Sequence, residues 1–177
     1  MRIRTAERPP VIHTARLALR PFIAEDEDAM IGILMDKTVA ITYMLPDFQS
    51  REEAARLFER LLMLCGQPEH FIYGMYRGDT LVGFLNDVKI TEDAIEIGYV
   101  VAPEHQRKGY ATEAFGACID TLFALGFSTV MAGFFAGNDA SRRVMEKCGL
   151  RPAGWSEEIA YRGEDRECVM YLIDRKA

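Results

Sequence analysis

The sequence has few of the features that mark membrane proteins, metal proteins or disulfide-stapled domains. None of its apolar runs approaches the ~20 residues of a membrane-spanning helix, and no apolar stretch follows the basic start Met1-Arg2-Ile3-Arg4, which argues against a signal peptide. Only four cysteines occur among 177 residues, without a C-x-x-C pair, and the three histidines are not clustered, so no metal site is expected. Scattered cysteines, among which Cys118 is expected to be a buried reduced thiol, favour a reducing compartment, and we expect the cytoplasm.

Positive charge is also in short supply. The chain has 21 Lys and Arg against 27 Asp and Glu, a net charge of −6, and this disfavours general nucleic-acid binding because phosphates would be repelled. The sequence has no internal repeat and no linker-like segment, and 49% of its residues are apolar. Residues 1–177 are therefore predicted to form a single domain.

The first half of the chain predicts strands and helices of ordinary length. Residues 1–12 are expected to be irregular, residues 15–22 alternate like a strand, and acidic residues open a helical pattern over 24–37. Ser50 and Glu53 have the spacing of a capping box, which starts a helix that reaches residue 65. A hairpin is predicted over 71–88, with its turn at 77–79.

The second half is dominated by a strand–helix–strand pattern. Residues 95–102 and 129–135 read as strands, and residues 111–125 carry an apolar stripe at helical spacing that includes Cys118 and ends before Gly126. A crossover of this length implies two parallel strands. A short helix over 138–148 and strands over 152–161 and 166–173 complete the prediction.

The loop at the first turn of this unit, Gln106-Arg107-Lys108-Gly109-Tyr110-Ala111, has the chemistry of an anion site. The first amides of a helix have no intrahelical partner and lie at the positive end of its dipole. Gly109 allows a close approach to the backbone, and the basic side chains add charge. The same residues are equally compatible with a glycine turn that carries solvated basic side chains.

Three segments together resemble the GNAT N-acetyltransferases. Residues 100–114 are similar to the family's Q/R-x-x-G-x-G/A motif, residues 138–150 to its later N-x-x-S…E-K-x-G-F segment, and residues 14–22 to the opening of the branch that acetylates ribosomal-protein N-termini. They keep the family's order and span nearly the whole chain. The resemblance implies an α+β (mixed α/β) fold, in which a twisted mixed sheet of about seven strands has helices on both faces.

The resemblance also implies an acyltransferase that uses acetyl-CoA as cosubstrate. It would acetylate a primary amine, on a protein N-terminus or a small molecule, by direct attack in a ternary complex. Pantetheine would pair with one strand and the pyrophosphate would lie on the loop, so the expected acetyl-CoA ligands are Val100, Val101, Gln106, Arg107, Lys108, Gly109, Tyr110, Ala111, Thr112, Asn138 and Ser141. Asn138 is also a favoured helix N-cap. The basic residues Arg142, Arg143 and Lys147 are either phosphate ligands or an exposed helix face.

Ser141 stands where the ribosomal-protein branch has a serine near the CoA sulfur. Its hydroxyl is therefore the candidate donor to the departing thiolate, although a surface serine in a first helical turn is the competing interpretation. Two other family positions differ in this chain. Met145 replaces a proton-donating tyrosine, and Gly133 replaces a glutamate base.

The general base must then come from another carboxylate. Glu96 precedes the loop on its strand, although it also fits a polar strand residue, and Glu158 or Glu157 lies near the ribosomal-protein branch's glutamate, whose nearest match is Ala160. A weak base suits an α-amine with a pKa of ~8 better than a lysine with a pKa of ~10.4.

Three aromatic residues and one alternative function stay open. Tyr99 and Tyr110 are interpreted as packing residues or groove walls, and Trp155 either lines the acceptor side or belongs to the core. The missing tyrosine and glutamate also fit a CoA-binding sensor or interaction module with weakened catalysis. The acceptor's identity and the oligomeric state are not determined by the sequence, and a homodimer is one compatible state.

Overall fold

A computed structural model describes residues 4–176 and shows a mixed α/β architecture. Five α-helices and eight strands follow one another along this part of the chain, with short 3-10 turns between some of them. Their bounds are β1 Ile12–His13, β2 Ala18–Arg20, α1 Glu27–Leu34, α2 Lys37–Thr42, α3 Arg51–Leu64, β3 Tyr73–Arg77, β4 Thr80–Ile90, β5 Ala94–Val101, α4 Tyr110–Ala124, β6 Thr129–Phe135, α5 Asp139–Lys147, β7 Arg151–Tyr161 and β8 Glu164–Asp174.

The strands form one sheet in the order β1-β2-β3-β4-β5-β6-β8-β7. Strands β5 and β6 are parallel, as predicted, and the other neighbouring pairs are antiparallel. The parallel pairing covers only three residues of each strand and ends at Glu96 opposite Met131. Beyond that point the two strands separate, so the edge of β5 from Ile97 to Val101 faces a gap in the sheet.

Neighbouring residues of a strand point to opposite sides of the sheet, so both faces carry apolar side chains, and helices cover both faces. Ile95, Ile97 and Val101 of β5 belong to a buried cluster with α4 and α5. Val100, between them, belongs to a second cluster built with α1, α2 and α3. Within residues 4–176, no helix is long and apolar enough to cross a membrane.

The predicted elements are found with three corrections. The sheet has eight strands rather than about seven, because Ile12, at the end of the segment expected to be irregular, pairs together with His13 as β1 with β2. The strand predicted over 15–22 is limited to Ala18–Arg20. The helix predicted over 24–37 ends at Leu34 as α1, and a helix that was not predicted, α2, follows it, since the Asp36 side chain accepts hydrogen bonds from the amides of Thr38 and Val39 and starts a new helix.

Helix caps elsewhere are close to the prediction. Ser50 accepts a hydrogen bond from the amide of Glu53 and starts α3. The Glu53 carboxylate reaches the amide of Gln49 rather than that of Ser50, so the box closes one residue earlier than expected. Trp155, for which a core position was one alternative, is 45% exposed.

Candidate active site

The loop between β5 and α4 folds so that its backbone can surround an anion. Arg107 has a φ of 61° and Gly109 a φ of 82°, both in the left-handed region, which turns successive amides towards one side. The side chain of Gln106 donates to the carbonyl of Val101 at 3.0 Å and joins the loop to the end of β5. Helix α4 begins immediately afterwards, so its unpaired first amides face the same space.

The N-terminal segment that resembles the ribosomal-protein branch locks this loop in place. The Glu113 carboxylate of α4 accepts hydrogen bonds from the Thr14 hydroxyl at 2.6 Å, and from the Arg16 main-chain amide and Nε at 2.7 Å each. Arg16 also donates to the carbonyl of Lys108 at 2.9 Å and lies over the Tyr110 ring. We call Thr14, Arg16 and Glu113 the loop latch.

Burial alone would raise the pKa of Glu113, but its hydrogen bonds from Thr14 and Arg16 and the positive charge of Arg16 outweigh burial, and the pKa is lowered. The carboxylate is therefore ionised in its contacts with Arg16. Sequence reasoning did not find the latch, since its residues are nearly a hundred positions apart in the chain.

A first cavity of about 350 Å³ lies between this loop, β5 and α5. Most of the predicted acetyl-CoA ligands line it: Val100, Val101, Gln106, Arg107, Gly109, Tyr110, Ala111, Thr112, Asn138 and Ser141. Lys108 does not line the cavity; its ammonium donates to the carbonyl of Glu104 at 2.9 Å. Arg143 and Lys147 join Arg107 in the lining, which contains no carboxylate, whereas Arg142 pairs with Asp139 and Glu146 on the helix surface.

Helix α5 presents Ser141 to this cavity. The Asn138 side chain accepts a hydrogen bond from the Ser141 amide at 3.2 Å, so Asn138 is the N-cap of α5 as the sequence indicates. The hydroxyl of Tyr99 lies 3.1 Å from the Ser141 hydroxyl and 3.3 Å from its carbonyl, and the Tyr99 ring packs against Phe115. Burial raises the pKa of Tyr99, so its phenol keeps its proton.

Tyr99 is thus more than a groove wall, because it fixes the position of Ser141. Its sequence signal was the alternation along β5: Tyr99 points to the α5 side, and Glu96 and Gly98 point to the opposite side.

A second cavity of about 570 Å³ opens on that opposite side of the gap. Glu96 and Glu157 line it together with Lys89 and Cys168. Burial raises the pKa of Glu96, the negative charge of Glu157 raises it further, and Lys89 opposes the shift. Burial of the Cys168 thiol and the negative charges of Glu96 and Glu157 raise the pKa of Cys168 to about 11. Glu158 is exposed on β7 opposite Glu167 and is not among the lining residues of either cavity.

The two cavities meet at Thr42 and Tyr43, which line both. The Tyr43 hydroxyl bonds the side-chain oxygen of Asn86, and its ring lies against the backbone of Gly98, where an added Cβ would be 3.0 Å from the hydroxyl. This segment is held by the buried Tyr161 of β7, whose hydroxyl contacts the carbonyl of Tyr43 at 3.2 Å. The junction between the cavities therefore lies beside the point where β5 and β6 separate.

Met145 and Gly133, the two positions at which the chain differs from the family pattern, are both closely packed against neighbouring side chains. Met145 is 1% exposed and belongs to the buried cluster under α4 and α5, so no polar group is present there. At Gly133, an added Cβ would lie 2.7 Å from the sulfur of Cys168 and 2.8 Å from that of Met170. A larger side chain at Gly133 would need both neighbours to move.

No group of histidine, cysteine and acidic side chains among residues 4–176 is arranged to hold a metal ion. The described cysteines are all free, with Cys65 and Cys118 buried.

Comparisons with known proteins identify the family of the chain and its fold. Residues 16–151 match the acetyltransferase (GNAT) domain family. The chain is 30% identical over 170 residues to "uncharacterized N-acetyltransferase YoaA" of Bacillus subtilis (strain 168), covering 93% of this chain and 96% of that one. Among solved structures, an acetyltransferase from Salmonella typhimurium that modifies the N-terminal serine of ribosomal protein L7/L12 has the same fold, with a TM-score of 0.80 at 17% identity over 94% of this chain and 99% of that one.

The microcin C7 self-immunity acetyltransferase MccE, in complex with acetyl-CoA and AMP, also has this fold, with a TM-score of 0.79 at 14% identity over 91% of this chain and 93% of that one. Likenesses at these identities establish the architecture, and the domain match and the N-acetyltransferase relative establish the family. The chain belongs to the GNAT family of acetyltransferases and is an acyltransferase.

Proposed function

We propose that the chain is an acetyl-CoA-dependent N-acetyltransferase that transfers the acetyl group directly to a primary amine. The observation that carries this proposal is the opposite charge of two adjoining cavities. The first contains Arg107, Arg143 and Lys147 without a carboxylate, whereas the second contains Glu96 and Glu157. An anionic donor and a cationic acceptor would therefore approach each other across the gap between β5 and β6.

The first cavity fits acetyl-CoA as the donor. The pyrophosphate would lie on the amides of residues 107–112, where Gly109 leaves room for it and the helix dipole is positive. Beyond Glu96, the edge of β5 has no strand partner on the β6 side, so Val100 and Val101 can pair with the amide groups of pantetheine as an added strand would. The acetyl-CoA complex of MccE, a protein of the same fold, supports this choice of donor.

Glu96 is the base that we assign to the acceptor amine. A primary amine attacks only as the neutral species, and a carboxylate whose pKa is raised by burial is a stronger proton acceptor than an ordinary glutamate. Glu157 contributes to the raised pKa and draws the ammonium into the second cavity. The ammonium loses one proton to solvent before it attacks. As the new N–C bond forms and the C–S bond breaks, Glu96 takes the second proton from the nitrogen and CoA leaves as the thiolate.

Ser141 is the group that we assign to the departing thiolate. The Tyr99 hydroxyl donates a hydrogen bond to the carbonyl or hydroxyl oxygen of Ser141. The hydroxyl hydrogen of Ser141 is then free to point towards the sulfur of CoA. Tyr99 acts through Ser141 and is a positioning residue. This pair occupies the role that the tyrosine replaced by Met145 would have had.

The cytoplasm is the compartment that we propose for this reaction. Cys65, Cys118, Cys148 and Cys168 are all free, as in proteins of reducing compartments.

Turnover with a panel of amines tests the proposal. Purified protein, acetyl-CoA and small amines or short peptides with free N-termini should release CoA thiol in proportion to the acetylated product. If no amine in the panel releases thiol while acetyl-CoA still binds, the proposed transfer to a primary amine is wrong, and the alternative of a CoA-binding module with weakened catalysis is favoured.

Calorimetric binding of acetyl-CoA tests the loop. Gly109→Glu should abolish binding, because a Cβ at Gly109 would lie 3.2 Å from Nη2 of Arg16, which holds the loop, and the new carboxylate adds negative charge beside the proposed pyrophosphate site. Gly163→Glu is the matched control, since Gly163 has a φ of 81°, close to the 82° of Gly109, and lies in the β7–β8 turn. Equal affinities of the two variants would refute the assignment of the loop.

A further inference from the structure

The second cavity combines a small acidic floor with apolar walls. Glu96 and Glu157 supply the carboxylates, and Phe135 and Ile159 belong to the same lining. Phe135 of β6, Cys168 of β8 and Glu157 of β7 are cross-strand partners in one row, so acid and apolar wall lie side by side on one face of the sheet. A volume of about 570 Å³ is in the range of small-molecule sites.

The mouth of this cavity exposes apolar side chains. Met44 and Val88 line it although 51% and 53% of their surfaces are accessible. Exposed apolar groups gathered around one cavity favour a ligand that covers them. An acceptor with an apolar body would bury both side chains when its amine reaches Glu96.

The charges of the cavity match one ammonium group. Glu96 and Glu157 provide two negative charges and Lys89, which acts on Glu96, provides one positive charge, so these three leave a net charge of −1. Asp87 also lines the cavity, but its carboxylate is used by the Phe71 amide at 2.6 Å and by His70 at 3.1 Å. A second ammonium on the acceptor would face Lys89 without a free carboxylate to pair with it.

Beyond Glu96, Glu157 and Lys89, the cavity has few side chains that are free to bind a polar acceptor. The Asn86 side chain already uses its oxygen to bond the Tyr43 hydroxyl and one of its N–H groups to donate to the carbonyl of Asp87 at 3.0 Å. A peptide or an amino sugar brings several amide or hydroxyl groups that need partners when they are buried.

We propose that the second cavity selects a small primary amine with a single positive charge on an apolar alkyl or arylalkyl body. This inference deepens the proposed function and depends on it. Two features make this selection. The positive charge of Lys89 repels a second ammonium group, and Met44 and Val88 at the mouth of the cavity bind a longer apolar body more tightly.

Three matched acceptors test the selection by thiol release from acetyl-CoA: ethylamine, hexylamine and 1,6-diaminohexane. Because methylene groups are buried against the mouth, kcat/KM for hexylamine should exceed that for ethylamine by roughly tenfold or more. It should also exceed that for the diamine, despite the diamine's two reactive ends. A short peptide with a free N-terminus serves as the polar comparison and should be a poorer acceptor than hexylamine.

Two variants connect the selection to the proposed residues. Met44→Ser should lower the hexylamine-to-ethylamine ratio several-fold, whereas Met63→Ser, a change at a methionine that is 60% exposed on α3, should not alter it. Lys89→Gln should raise the ratio of diamine to hexylamine turnover, and using this ratio cancels any effect of Lys89 on Glu96 itself.

The outcomes separate this inference from the function that it rests on. Thiol release with the diamine or the peptide at least as fast as with hexylamine overturns the selection and leaves the N-acetyltransferase proposal standing. Equal rates with ethylamine and hexylamine also overturn it. Absence of thiol release with every amine overturns both.

Discussion

Glu113 of the loop latch is far from the reacting groups, and we predict that its carboxylate supports both the folding stability of the chain and its binding of acetyl-CoA. In Glu113→Gln, the amide oxygen can still accept from Thr14 and from the Arg16 main chain, but the ion pair with the Arg16 guanidinium is lost. A hydrogen bond to a charged group contributes about 1.5–3 kcal/mol when buried and roughly 0.2–1 when exposed. Glu113 is 17% exposed and Arg16 46%, so we expect a loss of about 1–2 kcal/mol.

Thermal unfolding measures this loss. For a chain of this length about 1–2 kcal/mol lowers the Tm by roughly 3–6 °C, and Glu104→Gln, at an exposed glutamate beside the same loop, should lower it by much less. Because the pKa of Glu113 is lower in the folded chain, its stabilisation is complete above the ordinary value of 4.5 and disappears as the pH falls through the lowered one. The Tm difference between wild type and Glu113→Gln should therefore shrink at acid pH.

Acetyl-CoA binding gives a second measurement of the same variant. Arg16 also bonds the Lys108 carbonyl, so a loosened Arg16 should let the loop move and raise the dissociation constant several-fold. Equal Tm values for Glu113→Gln and Glu104→Gln, or a Tm difference that persists below the lowered pKa, would refute the latch.

The remaining predictions concern the reacting groups. Glu96→Gln should reduce kcat/KM by roughly 10²–10⁴ and remove the acid limb of its pH profile, which in the wild type lies above 4.5 because the base must be deprotonated and its pKa is raised. Glu157→Gln should move that limb to lower pH, whereas Glu158→Gln should leave it in place. Ser141→Ala should lower kcat with little change in acetyl-CoA affinity, and Tyr99→Phe should have no further effect once Ser141 is replaced, as kinetics of the single and double variants would show.

Much of the fold followed from local pattern. The alternation and length of residues 95–102, 111–125 and 129–135 predicted the parallel unit correctly, because buried strands and an amphipathic helix carry their periodicity in the sequence. The end of α1 was predicted three residues too late, and α2 was not predicted. Asp36 was read as part of a continuous apolar pattern, although its short acidic side chain is a good N-cap and competes with helix continuation.

The first cavity was predictable from the sequence, and the second was much less so. The loop is contiguous in sequence, so its glycine, basic residues and helix start can be read together. The second cavity collects side chains from α2, β4, β5, β6, β7 and β8, and no short stretch contains more than a few of them. Which of them meet depends on strand order and register, which a single sequence does not fix.

In strand β7, a shift of one residue decides which glutamate faces the second cavity. By closeness in sequence to the family's glutamate, Glu157 and Glu158 were equivalent, and Glu158 was predicted as a candidate base beside Glu96. In the sheet, Glu157 lies opposite Cys168 and faces the second cavity, whereas Glu158 lies opposite Glu167 and is turned away, because neighbouring strand residues point to opposite faces. The carboxylate charge that acts on Glu96 is therefore that of Glu157. A base at Glu96, its pKa raised by burial and by a second carboxylate from a distant strand, is an arrangement that depends on the register between β7 and β8.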